Sequence, residues 1–145
     1  FGEIAAGIKD SSGNWDNMLN ITQNVPDFMV YTGTETLLLD ILRAGGAGCI
    51  TASANLIAPE CKHVYEAWKN DQQETAEQAQ KKLTLLRRAL ESYPFVSELK
   101  SLLAEQTKST VWQNMLPPFS LLLDEQVKEL TLQIKEFDLD LSQRL

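Results

Sequence analysis

The chain has 145 residues, 43% hydrophobic and 23% charged, the composition of a globular domain with a core of its own rather than of a disordered segment. A formal net charge of −7, with no basic stripe interleaved with aromatics, excludes a general binder of phosphate backbones, so no nucleic acid is expected. No apolar run approaches the roughly 20 residues that span a membrane and no signal peptide opens the chain, so no membrane association is expected either.

The first predicted element is a strand over Ile4–Lys9, an apolar run ending in a lysine, as a parallel strand buried on both faces does. A lysine at the carboxyl end of such a strand stands at the mouth of an α/β fold, where active sites gather. Partial burial there lowers an amine's pKa, and a neutral amine attacks a carbonyl to form a Schiff base. The alternative is a solvated lysine closing a strand. The polar turn Asp10-Ser11-Ser12-Gly13 leads to a helix over Asn14–Asn24, stopped by Val25-Pro26. A second strand is predicted over Phe28–Thr32, then a helix over Thr34–Ala44 closed by Gly45-Gly46. A third strand follows over Gly48–Ala52, then a helix over Ala58–Asn70. This alternation implies parallel strands with right-handed crossovers.

From there the chain is helical. Ala76, Ala79, Leu83, Leu86 and Leu90 form one apolar stripe in a helix over Glu74–Tyr93, which Pro94 breaks. Phe95–Gln106 carries Val96, Leu99, Leu102 and Leu103, and a last helix runs from Glu125 to Phe137 with Asp124 as its N-cap. The division is a strand–helix part over residues 1–70 and a helical region over 71–145. Cys49 and Cys61 lack metal-ligand spacing and read as buried thiols of a reducing, cytoplasmic compartment, with a disulfide between them the alternative. His63 has no partner for a metal site.

Three parallel strands with two open edges are an incomplete sheet, and open edges favour association. A (β/α)8 barrel takes about 250 residues. The chain also begins with Phe1 and enters a strand almost at once, so it is expected to be the back part of such a barrel with an appended helical region.

Three strand ends line up: Gly7-Ile8-Lys9 with its polar turn and Gly13, Thr32-Gly33-Thr34-Glu35, and Gly45-Gly46-Ala47-Gly48-Cys49-Ile50 followed by Ala54-Asn55. Taken together they resemble the dihydrodipicolinate synthase / N-acetylneuraminate lyase family of Schiff-base-forming (β/α)8 enzymes, over essentially the whole chain. The resemblance implies that Lys9 is the catalytic lysine, which captures pyruvate or another 2-keto acid. It places Ser11 at a position that contacts substrate in some lyases; the other role for Ser11 is in the turn before Gly13. It places Gly33 where a missing side chain leaves room for substrate; the other role is a turn needing positive φ. Glu35 falls at an acidic position that binds substrate hydroxyls in sugar-acid lyases, while Thr32-x-x-Glu35 is equally a capping-box pattern. Ile50 falls at a residue whose carbonyl lies near the lysine. The resemblance implies no metal and no cofactor.

The family's proton-transferring tyrosine sits on an earlier strand, and that motif does not occur here. Tyr31, Tyr65 and Tyr93 are not assigned the role. The Asp10-Ser11-Ser12-Gly13 run departs from the Glu-Ala-Thr-Gly usual in the synthases and favours the keto-deoxy-sugar-acid aldolases and dehydratases. The reading is therefore an aldolase-type lyase taking pyruvate and an aldehyde, present as a fragment that lacks its catalytic tyrosine. Dihydrodipicolinate synthase of lysine biosynthesis is one alternative, and a non-catalytic, self-associating half-barrel another. The partner of the chain is accordingly a second copy of itself or a missing amino-terminal half.

Overall fold

In the computed structural model, which describes residues 4–137, β1 (Gly7–Asp10), β2 (Met29–Thr32) and β3 (Gly48–Cys49) form one parallel sheet in the order β1–β2–β3. The register pairs Lys9 with Tyr31 and Asp10 with Thr32, then Tyr31 with Gly48 and Thr32 with Cys49. Two compact units make up the chain, one reaching to Thr84 and the other starting at Leu85. The sequence reading divides the chain at residue 70 instead. The difference lies in α4 (Gln73–Ala89), whose first part bonds to α2 (Leu38–Arg43): the Leu39 N–H donates to Gln80 Oε1 at 3.0 Å, and Arg43 pairs with Glu77 at 2.5 Å.

In the first unit, α1 (Trp15–Asn24) starts where expected, because the Asn14 side chain accepts the Asn17 N–H. Helix α1 puts Met18 against Val30 of β2 and Ile41 of α2, all three with no exposed surface. Burying each such side chain is worth about 1.5–3 kcal/mol. Trp15, Ile21, Phe28 and Leu37 pack around them. Side chains alternate along a strand, so Val30 and Thr32 face this core while Met29 and Tyr31 face away from it. A 3-10 turn over Glu35–Leu37 leads into α2, and Gly45 at φ +94° ends it, with the Gly46 N–H reaching back to the Ile41 carbonyl.

Several elements differ from their predicted extents. Strand β1 starts at Gly7 rather than Ile4, because its partner β2 starts only at Met29. Gly7, Ile8 and Lys9 are exposed, so β1 is an edge strand and not one buried on both faces. Strand β3 has two residues rather than five, β2 having ended at Thr32. Helix α3 (Ala54–Lys69) begins four residues before the predicted Ala58, and Ile57, with φ −119° and ψ 25°, breaks it into a first turn and a main body. That break lets Pro59 sit inside the helix without costing an interior hydrogen bond.

The second unit contains the end of α4, α5 (Phe95–Thr107) and α6 (Asp124–Lys135). Its core holds Leu86, Leu90, Leu99, Leu102, Leu103, Leu130 and Ile134. Val96, expected in the apolar stripe of α5, is 39% exposed. The N-cap of α6 is Leu123 and not Asp124, which stands in the first turn. There it meets the positive end of the helix dipole, while the Leu123 N–H donates to Gln126 Oε1. A cavity of about 670 Å³ lies along α5 and α6, with Leu122, Val127, Leu132, Lys108 and Lys128 among its lining residues.

Candidate active site

The carboxyl ends of the three strands carry the chemistry-bearing residues, and the register decides which share a face. Lys9, Tyr31 and Gly48 form one row on the face turned away from the Met18–Val30–Ile41 core. One residue further on, the ladder continues: the Gly33 N–H donates to the Asp10 carbonyl at 2.7 Å, and the Ile50 N–H to the Thr32 carbonyl at 3.0 Å. Ser11, Gly33 and Ile50 therefore form the next row towards the mouth, on the same face as Lys9. Four of the five residues singled out from the sequence are thus brought together.

Lys9 is exposed on this face. The partial burial expected of it is not supplied by the described residues, because β1 is an edge strand and its helices cover only the opposite face. Ser11 and Gly33 interlock. A β-carbon on residue 33 would stand 2.5 Å from Ser11 Oγ and 2.8 Å from Ser11 Cα. The positive-φ explanation for this glycine does not hold, since among the described residues the positive-φ glycines are Gly13, Gly45 and Gly48. Gly33 is small because Ser11 occupies the room. The turn below it is held by Asp10, whose carboxylate accepts the Ser12 N–H and the Asn17 side-chain amide, each at 2.7 Å. These bonds from Ser12 and Asn17 hold the Asp10 carboxyl below its usual range.

Glu35 does not join the row. Its side chain has no exposed surface, and its carboxylate accepts hydrogen bonds from the hydroxyls of Thr51 and Ser53. Nor does it form a capping box with Thr32. The cap of the 3-10 turn is Thr34, whose hydroxyl accepts the Thr36 N–H, while Thr32 Oγ1 accepts the Thr34 N–H. Thr51 and Ser53 are functional candidates that the sequence reading missed. The signal for them lies only in hydroxyl residues just past a strand end. Tyr31, left unassigned from the sequence, is the direct cross-strand neighbour of Lys9, and its hydroxyl reaches the Met29 sulfur at 3.5 Å.

Cys49 and Cys61 are free, half-buried thiols, each close enough to perturb the other. The hydrogen bond from Cys61 lowers the pKa of Cys49, and the same bond together with burial raises that of Cys61. Among the described residues no group of three or more His, Cys, Asp or Glu side chains is placed to hold a metal, and no helix is long and apolar enough to cross a membrane.

The family described as "Dihydrodipicolinate synthetase family" matches residues 3–137. A 4-hydroxy-tetrahydrodipicolinate synthase of Listeria monocytogenes serovar 1/2a is 35% identical over 101 residues, covering 69% of this chain and 34% of the relative. A probable 2-dehydro-3-deoxy-D-pentonate aldolase of Escherichia coli K12 is 43% identical over 105 residues, covering 68% of this chain and 34% of the relative. Among solved structures, a prophage protein of the dihydrodipicolinic acid synthase family from Escherichia coli K12, in complex with pyruvate, superimposes with a TM-score of 0.81 at 25% identity, over 92% of this chain and 46% of that one. A 2-keto-3-deoxygluconate aldolase variant from Sulfolobus solfataricus gives a TM-score of 0.81 at 19% identity, over 92% of this chain and 45% of that one, a likeness of fold alone. The chain thus spans about a third of the length of these curated relatives and just under half of these solved chains.

Proposed function

The chain belongs to the dihydrodipicolinate synthetase family, and from that premise we propose that Lys9 is the nucleophile of a lyase or aldolase acting on pyruvate or a related 2-keto acid. One observation carries the reading: Lys9, Ser11, Gly33 and Ile50 stand in two adjacent rows on one open face of the sheet. Neutral Lys9 attacks the keto carbon, and the carbinolamine loses water to give an iminium. The iminium draws electrons from the adjacent carbon. A C–C bond then breaks, or an α-proton leaves, to give an enamine. The enamine is protonated to release pyruvate or adds to an aldehyde, with a general acid/base moving the proton. Ser11 Oγ, in the row above Lys9, is the proposed contact for the bound acid.

The three strand–helix units are proposed to be the last three of a (β/α)8 barrel, with the Lys9 face as its interior. Covering that face would bury Lys9. In this reading the isolated chain is a partial active site, and its open β1 edge favours self-association. The Asp10-Ser11-Ser12-Gly13 run, in place of the Glu-Ala-Thr-Gly usual in the synthases, supports an aldolase of a keto-deoxy sugar acid over the synthase.

The test is borohydride trapping with pyruvate, read by intact-protein and peptide mass spectrometry. The expected result is an adduct of pyruvate mass on Lys9 that is lost in Lys9→Ala. An adduct on another lysine rules out Lys9 as the nucleophile, and a well-folded chain that gives no adduct shows that the uncovered face does not activate Lys9 by itself.

A further inference from the structure

We propose that Glu35 is a positioning residue of the Lys9 face rather than a ligand for substrate hydroxyls, an assignment that rests on the reading of Lys9 as the keto-acid nucleophile. Its carboxylate is withdrawn from solvent, and two hydroxyls of the segment after β3, on Thr51 and Ser53, converge on the same oxygen, Oε1. A buried carboxylate is costly unless hydrogen bonds compensate it, so these bonds fix both partners.

Glu35 follows β2, while Thr51 and Ser53 follow β3, so the carboxylate adds a side-chain tie between two strand-end segments beyond the point where the sheet pairing of β2 and β3 stops. Its own segment is anchored from behind. Gln80 Nε2 of α4 donates to the Glu35 carbonyl at 3.0 Å, and the Gln80 side-chain oxygen accepts the Leu39 N–H. Ile50 lies between the last β3 residue and Thr51. It is held on one side by its own N–H bond to the Thr32 carbonyl and on the other by the Glu35–Thr51 bond. Thr51 in turn accepts the Ala54 N–H at 3.2 Å, where α3 begins. Glu35 thereby sets where Ile50 stands in the row above Lys9, and with it the shape of the mouth that receives the keto acid. A carboxylate engaged in this way has no surface left for substrate.

The experiment compares Glu35→Gln and Glu35→Leu in the full chain. The Gln side-chain oxygen still accepts both hydroxyls, whereas Leu keeps the bulk and accepts none. Two readouts are taken: hydrogen exchange of the Ile50 amide, and pyruvate concentration dependence of borohydride trapping. In Glu35→Leu the Ile50 amide is expected to exchange at least about tenfold faster while Met18 and Ile41 keep their protection. Half-saturating pyruvate should rise about tenfold with the maximal trapping rate within about twofold. Glu35→Gln should match the parent chain in both. Ser53→Ala, which removes one donor and leaves Thr51, should shift both readouts part-way, and it decides the matter if Glu35→Leu fails to fold. An Ile50 amide as protected in Glu35→Leu or Ser53→Ala as in the parent, or a Gln variant as perturbed as Leu, overturns the assignment. If the parent chain traps no pyruvate, the uncovered face does not activate Lys9 by itself, and Ile50 exchange still decides whether Glu35 holds this segment.

Discussion

Ser11 Oγ lies 2.5 Å from the point where a β-carbon on residue 33 would be, and the Gly33 N–H is bonded to the Asp10 carbonyl directly beneath. Two strand ends are therefore fitted to each other with no room for even a methyl group. Residue 33 is glycine on account of its neighbour across the ladder, and the interlock fixes Ser11 in the row above Lys9.

Gly33→Ala should accordingly destabilise the first unit. The added carbon meets backbone as well as the serine hydroxyl, so the neighbours must move, at a cost typical of overpacking, about 1–3 kcal/mol. Removing the hydroxyl with Ser11→Gly should recover only part of the loss, since the Asp10 carbonyl would still lie 3.0 Å away. Thermal unfolding of the two single variants and the double variant measures this. A Gly33→Ala chain as stable as the parent would show that the ends part freely.

Asp10 should make the first unit acid-sensitive. Hydrogen bonds from Ser12 and Asn17 favour its ionised form, so its folded pKa lies below its ordinary 3.8. The stability this supplies is present above pH 3.8 and is lost as pH falls through the lower folded value. Asp10→Asn should flatten that part of the acid unfolding curve, followed by circular dichroism between pH 5 and about 2. Curves that run parallel down to the acid end would rule this out.

Glu98 works in the opposite direction in the second unit. Its side chain has no exposed surface, its Oε2 accepts the Tyr93 N–H, and its Oε1 has no hydrogen-bond partner among the described residues. Burial raises its pKa to about 7, against the partial opposition of that bond and of the Arg87 charge. A carboxyl raised in the folded state contributes its stability fully below its ordinary 4.5, and that contribution is lost as pH rises through about 7. Glu98→Gln should thus be more stable than the parent at pH 8 and close to it at pH 5, by thermal midpoint. A midpoint difference that does not change between the two pH values would count against it.

The thiols give a kinetic prediction. With the Cys49 pKa lowered by Cys61 and that of Cys61 raised, iodoacetamide at pH 8 should modify Cys49 first. Cys61→Ala should slow that reaction by roughly tenfold for each unit of pKa that the bond supplied. Peptide mapping over time is the measurement, and initial labelling at Cys61 would contradict the assignment.

The sequence was legible wherever a pattern is local. Helix α1 begins within one residue of its expected start at Asn14, whose side chain accepts an N–H three residues on. Leu83, Leu86 and Leu90 are buried because their spacing turns them to one face. Lys9, Gly33 and Ile50 could be grouped because each follows a recognisable strand run. What could not be read depended on partners far along the chain. Glu35 looked like a cap or a substrate ligand, and its hydroxyl donors lie 16 and 18 residues downstream. The exposure of Lys9 follows from which strands neighbour β1, which no local pattern records. Helix α3 was misjudged at its start because its first turn, from Ala54, is set off from the main body by the break at Ile57.

The strand order β1–β2–β3 also bears on how the first unit comes into being. Among the described residues each strand pairs with its neighbour along the chain, with a single helical segment between them. Pairing can then follow the order of synthesis: β2 finds β1 already made, and β3 finds β2. Loop-closure entropy is met in short instalments, which keeps contact order low for a parallel sheet and shortens the time that an unpaired strand is left open to misassembly. A growing polypeptide with this topology can settle residue by residue as it leaves the ribosome.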